Sequence, residues 1–177
     1  VAITTVPVST CGVVPGGTYL VAVALIALVI VWMANLYNFM DGLDGLAGSM
    51  TVIGFGAMAF WAWRGGAEDV AMVALLPAAA GAAFLTTNWP PARLFLGDSG
   101  SVPLGFMSAA IGAFGIYRGV WGVWFPIVVF APFVVDATFT LVRRLARGER
   151  VWEAHRSHAY QRMVLAGWTR RENMPRR

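Results

Sequence analysis

The stretch Asn35-Leu-Tyr-Asn38-Phe-Met-Asp41-Gly42-Leu-Asp44-Gly45-Leu-Ala-Gly48 decides how the rest of the chain is read. It follows a long apolar run, at the point where a membrane helix should end. Asn35, Asn38, Asp41 and Asp44 recur every third residue. Ionised groups are costly at a membrane boundary, so two carboxylates there point to a site. In an α-helix a step of three falls back by ~60°, which keeps Asn38, Asp41 and Asp44 on one broad face. Asn35 drifts to the far side of Asp44. Gly42 and Gly45 let the backbone open around a ligand. Amides and carboxylates suit a nucleotide base and ribose, or a hard cation such as Mg²⁺. A polar helix end whose aspartates cap the next helix is the plainer alternative. The Asp-x-x-Asp spacing excludes an EF-hand, which also needs a later bidentate glutamate.

Working outward, composition says what surrounds this stretch. Of 177 residues, 58% are hydrophobic and only 12% charged, with a mean hydropathy of +0.66. Soluble domains carry about a quarter charged residues, so a membrane protein is expected. The 13 basic residues are all arginine, and most of them lie from Arg143 onward. By the positive-inside tendency that end is cytoplasmic. A nucleic-acid-binding arm is the rival for such a tail, but here it directly follows an apolar span, and no nucleic-acid partner is expected. The single Cys11 excludes an intramolecular disulfide. Val1 to Gly17 has no basic start and no clean apolar core, so no signal peptide is read there.

The expected architecture is all-α: a polytopic helix bundle over 1–142, then a basic cytoplasmic segment over 143–177. Spans are expected near 18–36, 48–63, 70–86, 102–117 and 121–142, each close to the ~20 residues a bilayer requires. Pro77 should kink the third, and Trp121 and Trp124 should form an interfacial belt at the start of the fifth. An amphipathic helix is expected around Trp152 to Leu165. Counting back from a cytoplasmic tail puts the opening stretch, the polar loop Asn88–Ser101 and the tail on one face.

Two more motifs therefore share that face. Leu94-Phe-Leu-Gly-Asp98-Ser-Gly-Ser101 places Asp98 among small residues, where backbone amides and a divalent cation could hold a diphosphate. A helix-capping loop is the alternative. Gly-Asp-Ser-Gly also surrounds the nucleophile of trypsin-like proteases, but no histidine lies upstream and the setting is helical. The third motif is His155-Arg156-Ser-His158-Ala-Tyr160-Gln161-Arg162, whose histidines share a helix face. With Arg156 and Arg162 they form a cationic cluster suited to phosphate, or a solvated basic helix at the headgroups. Zinc would need more ligands than two histidines and a remote Cys11. Asp136 lies inside the fifth span, either as a functional acid or as the partner of a nearby arginine.

Together, Asn35–Ala47, Phe95-Leu-Gly-Asp-Ser-Gly-Ser101, Pro132-Phe-Val-Val-Asp-Ala-Thr138 with Arg143-Arg144, and His155-Arg-Ser-His158 resemble one family. It is the polyprenyl-phosphate N-acetylhexosamine-1-phosphate transferase superfamily, glycosyltransferase family 4. The resemblance implies a multi-pass enzyme of the bacterial inner membrane whose active site faces the cytoplasm. It implies transfer of a sugar-1-phosphate from a UDP-sugar to undecaprenyl phosphate with Mg²⁺, as in lipopolysaccharide or cell-wall precursor synthesis. Asp98 would then be the Mg²⁺ ligand and a catalytic residue with His155 and His158. Asn35, Asn38, Asp41, Asp44 and Arg156 would bind substrate. The family's adjacent aspartate pair is missing from this sequence, as are its last spans; a fragment inactive on its own is expected, and a degenerate paralogue is the alternative. His-x-x-His-Ala-Tyr-Gln resembles initiators of O-antigen or other surface glycans. The enzyme that uses UDP-muramyl-pentapeptide is the nearest alternative, and an ion-coupled transporter is the alternative from another class. The sugar, the lipid length and homo-oligomer formation stay open.

Overall fold

The structure is a computed structural model that describes residues 16–147. The amphipathic helix, the histidine motif with His155, Arg156 and His158, and most of the basic segment lie outside the described residues. Six helices follow in order: α1 (Gly16–Met40), α2 (Leu46–Arg64), α3 (Glu68–Asn88), α4 (Gly97–Tyr117), α5 (Trp124–Val129) and α6 (Ala131–Ala146). The described residues contain no strand, in keeping with the all-α expectation. The first four helices are long and apolar enough to cross a membrane.

The fifth expected span, 121–142, is instead broken into α5 and α6 at Phe130. Pro132 supplies the reason. It has no N–H to give the carbonyl four residues back, and its ring crowds that carbonyl. The break drives the Phe130 ring into the core, edge-on to Tyr37 at 6.0 Å and to Phe55 at 5.5 Å between centroids. Phe133 meets the same Tyr37 ring at 5.0 Å. One tyrosine thus joins α1 to the break and to α6. Pro77, by contrast, lies within an uninterrupted α3.

Helices α2 and α3 form an antiparallel hairpin. Ala47, Gly48, Thr51, Phe55, Met58, Ala59 and Ala62 are buried on α2, and Val70, Ala74, Pro77, Ala78 and Gly81 on α3. Small residues at three- and four-residue steps let the two backbones close, the usual basis of helix association in a membrane. The α1–α4 contact is closer still. A Cβ on Gly105 would sit 2.3 Å from the Met33 carbonyl oxygen, so only glycine fits there. Leu20 to Val29 of α1 are exposed and apolar, and its buried residues begin at Met33.

The expected tryptophan belt needs a correction. Trp124 is exposed, but Trp121 folds inward and its indole N–H donates to the Gly112 carbonyl at 3.0 Å. A buried indole needs an acceptor. The α4 backbone provides one, and Phe125 stacks on the ring at 5.3 Å.

The connectivity gathers four helix ends at one face: the C-termini of α1 and α3 and the N-termini of α2 and α4. The turns 65–67 and 118–123 lie at the other face.

Candidate functional site

Helix α1 ends at Met40, so the opening motif is half helical. Asn38 occupies the last turn, while Asp41 and Asp44 lie in the turns before α2. Gly45 closes those turns with φ at 77°, a left-handed conformation that favours glycine. The carboxylates therefore do not share a helix face. They converge because each is bonded to the segment that leads into α4.

Three side chains fasten the two segments through four hydrogen bonds. The Asn38 side-chain amide donates to Oδ1 of Asp98 at 2.7 Å and to Oγ of Ser101 at 3.2 Å. Oδ2 of Asp41 accepts the Gly97 N–H at 3.0 Å. Oδ2 of Asp44 accepts the Ala92 N–H, also at 3.0 Å. Ser101 in turn donates to the Gly97 carbonyl at 3.0 Å, which fixes the hydroxyl toward its own helix. Asp98 lies in the first turn of α4 rather than in the loop, since the helix starts at Gly97. A carboxylate is favoured at that position by the helix dipole.

Asn88 was quoted only as the start of a loop, yet it holds the arrangement together. Buried at the end of α3, it accepts the Gly45 N–H at 2.8 Å and donates to the Leu94 carbonyl at 2.8 Å. Both bonds satisfy backbone groups that turns leave without partners. The available signal was a lone amide closing an apolar helix just before Trp89-Pro90-Pro91.

Asn35 is not brought into this cluster. It is exposed, and its amide donates to the Val31 carbonyl at 2.7 Å, one turn back on α1. The three-residue step that aligns Asn38 with the turns rotates Asn35 away from them. Asp136 lies half-buried on α6.

The electrostatics of the cluster are those of two acids in each other's field. Burial pushes the Asp41 carboxyl above its ordinary range; the Gly97 amide pulls it partly back, and the charge of Asp98 pushes it up again. A like charge so close disfavours ionisation of both groups together. Among the described residues no set of three or more acids, histidines or cysteines could hold a metal by itself. The donors still fit Mg²⁺. That ion typically takes one or two carboxylates and completes its shell with water and substrate phosphates, and a cation would relieve the Asp41–Asp98 repulsion. Each carboxylate uses one oxygen in the bonds above, and the other oxygen carries no hydrogen bond among the described residues.

Residues 1–116 match the family described as glycosyl transferase family 4. Among curated proteins, the chain is 33% identical over 152 residues to a probable undecaprenyl-phosphate N-acetylglucosaminyl 1-phosphate transferase of Bacillus subtilis (strain 168), covering 85% of this chain and 42% of that protein. It is 34% identical over 168 residues to the phospho-N-acetylmuramoyl-pentapeptide-transferase of Shouchella clausii, covering 93% of this chain and 48% of that protein. The enzyme of the same name from Lacticaseibacillus paracasei is 43% identical over 89 residues, 49% of this chain and 28% of that protein. The chain spans less than half the length of each of these relatives.

Proposed function

Since this chain belongs to glycosyl transferase family 4, we propose that it carries the nucleotide-sugar half of a phosphosugar transferase site. The reaction is transfer of a sugar-1-phosphate from a UDP-(N-acetyl)sugar to undecaprenyl phosphate. A phosphate oxygen of the lipid bonds to the sugar-bearing phosphorus, the bond from that phosphorus to the UMP oxygen breaks, and UMP leaves. The observation that carries this reading is the fastening of Asn38, Asp41 and Asp44 onto the segment that presents Asp98, 48 to 60 positions away in sequence.

Each group has a task that its geometry supports. Asn38 holds Asp98 by one oxygen and leaves the other without a hydrogen bond among the described residues. Asp41, held by the Gly97 amide, sets the spacing between the two carboxylates. Asp44 and Asn88 fix the turns, and the nucleotide would lie against this rim. When bound, Mg²⁺ would neutralise the diphosphate, held by Asp98 with Asp41. His155, Arg156 and His158 are proposed phosphate or sugar contacts, and Asn35 is proposed only as an outlying one. The arginine-rich end supports an orientation with the site on the cytoplasmic face of a bacterial inner membrane.

As to the sugar, the His-x-x-His-Ala-Tyr-Gln pattern supports a UDP-N-acetylhexosamine and surface-glycan initiation over the muramyl-pentapeptide substrate. The test is UMP release in membranes from cells that produce this chain together with the lipid-phosphate half of the site, supplied with undecaprenyl phosphate, Mg²⁺ and either donor. Release with UDP-N-acetylglucosamine and not with UDP-muramyl-pentapeptide is expected. The reverse preference would overturn the choice of sugar, and Mg²⁺-independent activity would overturn the site.

A further inference from the structure

The face opposite the acidic cluster holds a recess that the proposed reaction does not use. It lies between α2 and α3, has a volume of about 440 Å³, and is lined by Gly56, Phe60, Trp63, Glu68, Met72 and Leu75 among others. Its depth identifies the kind of molecule it takes. Helix α2 ends at Arg64 and α3 begins at Glu68, so Trp63 and Glu68 stand at headgroup level. Gly56 and Leu75 lie seven positions further into their helices, roughly 10 Å deeper at the helical rise per residue. The recess runs from the interface into the hydrocarbon, the path of one lipid rather than of a soluble metabolite.

Its chemistry identifies the headgroup. Two acids open α3. Asp69 is paired with Arg118 from the end of α4, but Glu68 has no ion-pair partner among the described residues. Instead it lines the recess beside Phe60 and Trp63, whose ring centroids are 6.3 Å apart with planes at 47°. Both rings are exposed. Tilted aromatic faces beside an unpaired carboxylate attract an ammonium group, through the ring quadrupoles and through charge. Arg64, which follows Trp63 at the end of α2, puts a cation at the same depth but outside the recess lining.

We infer that the α2–α3 recess binds a phospholipid with an ammonium headgroup. Glu68, Phe60 and Trp63 meet the ammonium, and Met72 and Leu75 line the upper acyl chain. An anionic headgroup without an amine is disfavoured, because Glu68 repels it. The inference is independent of the transferase reading and concerns the other membrane face.

Native mass spectrometry of the full chain, offered equal amounts of phosphatidylethanolamine and phosphatidylglycerol, tests it. Phosphatidylethanolamine should be retained about fivefold over phosphatidylglycerol, the scale of an exposed cation–π contact plus one charge. Glu68→Gln should bring the ratio to about one, Glu68→Asp should keep the preference, and Trp63→Leu should weaken it with phosphatidylglycerol retention unchanged. Equal retention by the unaltered chain, retention of neither lipid, or an unchanged ratio in Glu68→Gln overturns the proposal.

Discussion

The two ends of the α2–α3 hairpin are fastened in opposite ways. At the acidic end, buried Asn88 bonds two backbone groups, and Asp44 takes a third from the following loop. At the other end, the described tie is the exposed Asp69–Arg118 pair, with the Arg118 guanidinium 5.5 Å from the centre of the Phe114 ring. Buried donors and acceptors have no water to fall back on, so each bond fixes a position and its loss is costly. Exposed ion pairs are already solvated and hold little. The acidic end is thus built for geometry, and the far end for adaptation to lipid.

The sharpest way to break that comparison is to neutralise one acid at each end. Asp98→Asn keeps an oxygen for the Asn38 amide but removes the charge proposed to hold Mg²⁺. Mg²⁺-dependent UMP release by the active enzyme should fall by about 10²–10³, the scale of losing one preorganised electrostatic contact. Glu68→Gln at the far end should leave the rate unchanged. Similar losses in both variants would mean that the two faces do not divide the work as argued.

Next in size is Asn88. Asn88→Ala strands the Gly45 N–H and the Leu94 carbonyl, and should destabilise the chain by roughly 2–3 kcal/mol in denaturant titration. Asn88→Asp keeps the acceptor for Gly45 but sets a buried carboxylate against the Leu94 carbonyl oxygen, so it should cost at least as much. A clearly smaller cost would show that the Leu94 bond contributes nothing.

A smaller effect should appear in the pH dependence through Asp41. Its folded-state carboxyl is raised, chiefly by burial and then by Asp98 against the pull of the Gly97 amide. Between the ordinary carboxylate value and the raised one, the folded chain therefore binds more protons than the unfolded chain. Stability from this group falls as pH rises through that window. Asp41→Asn removes the penalty and can still accept the Gly97 N–H. The variant should melt higher than the unaltered chain at pH 7, and the gap should close as pH drops toward the ordinary carboxylate value. Mg²⁺ should narrow the gap at pH 7 by stabilising only the chain with the charged pair.

Asn38, Asp41, Asp44 and Asp98 were legible in the sequence because their side chains carry the chemistry, and the four long helices because their apolar runs do. The partners of Asp41 and Asp44 were not legible. They are the N–H groups of Gly97 and Ala92, and a backbone amide leaves no mark in a residue code. The reading of one helix face failed for a related reason: α1 stops at Met40, and what aligns the acids is a loop from elsewhere in the chain. Asn35 fits the three-residue step as well as its neighbours, and only the helix rotation separates it from them. The broken fifth span had a visible cause in Pro132, outweighed in the reading by the apolar length around it. Trp121 reads in the sequence as an interfacial residue because its acceptor, the Gly112 carbonyl, is again backbone.

The smallest expected effect lies at the far end, and it decides whether the contrast between the faces is real. Asp69 and Arg118 are both substantially exposed, so their attraction is spread through water and screened by salt. Arg118 also rests on Phe114, a contact that survives loss of the acid. Asp69→Asn should therefore leave the melting midpoint within error, at low and at high salt. Arg118→Leu also removes the guanidinium from the Phe114 ring and should lower it only slightly, on the scale of an exposed cation–π contact. A clear loss in Asp69→Asn that disappears in high salt would mean that this end is also held by its charges. The recess beside Glu68 would then be a fixed part of the fold rather than a surface free to take up lipid.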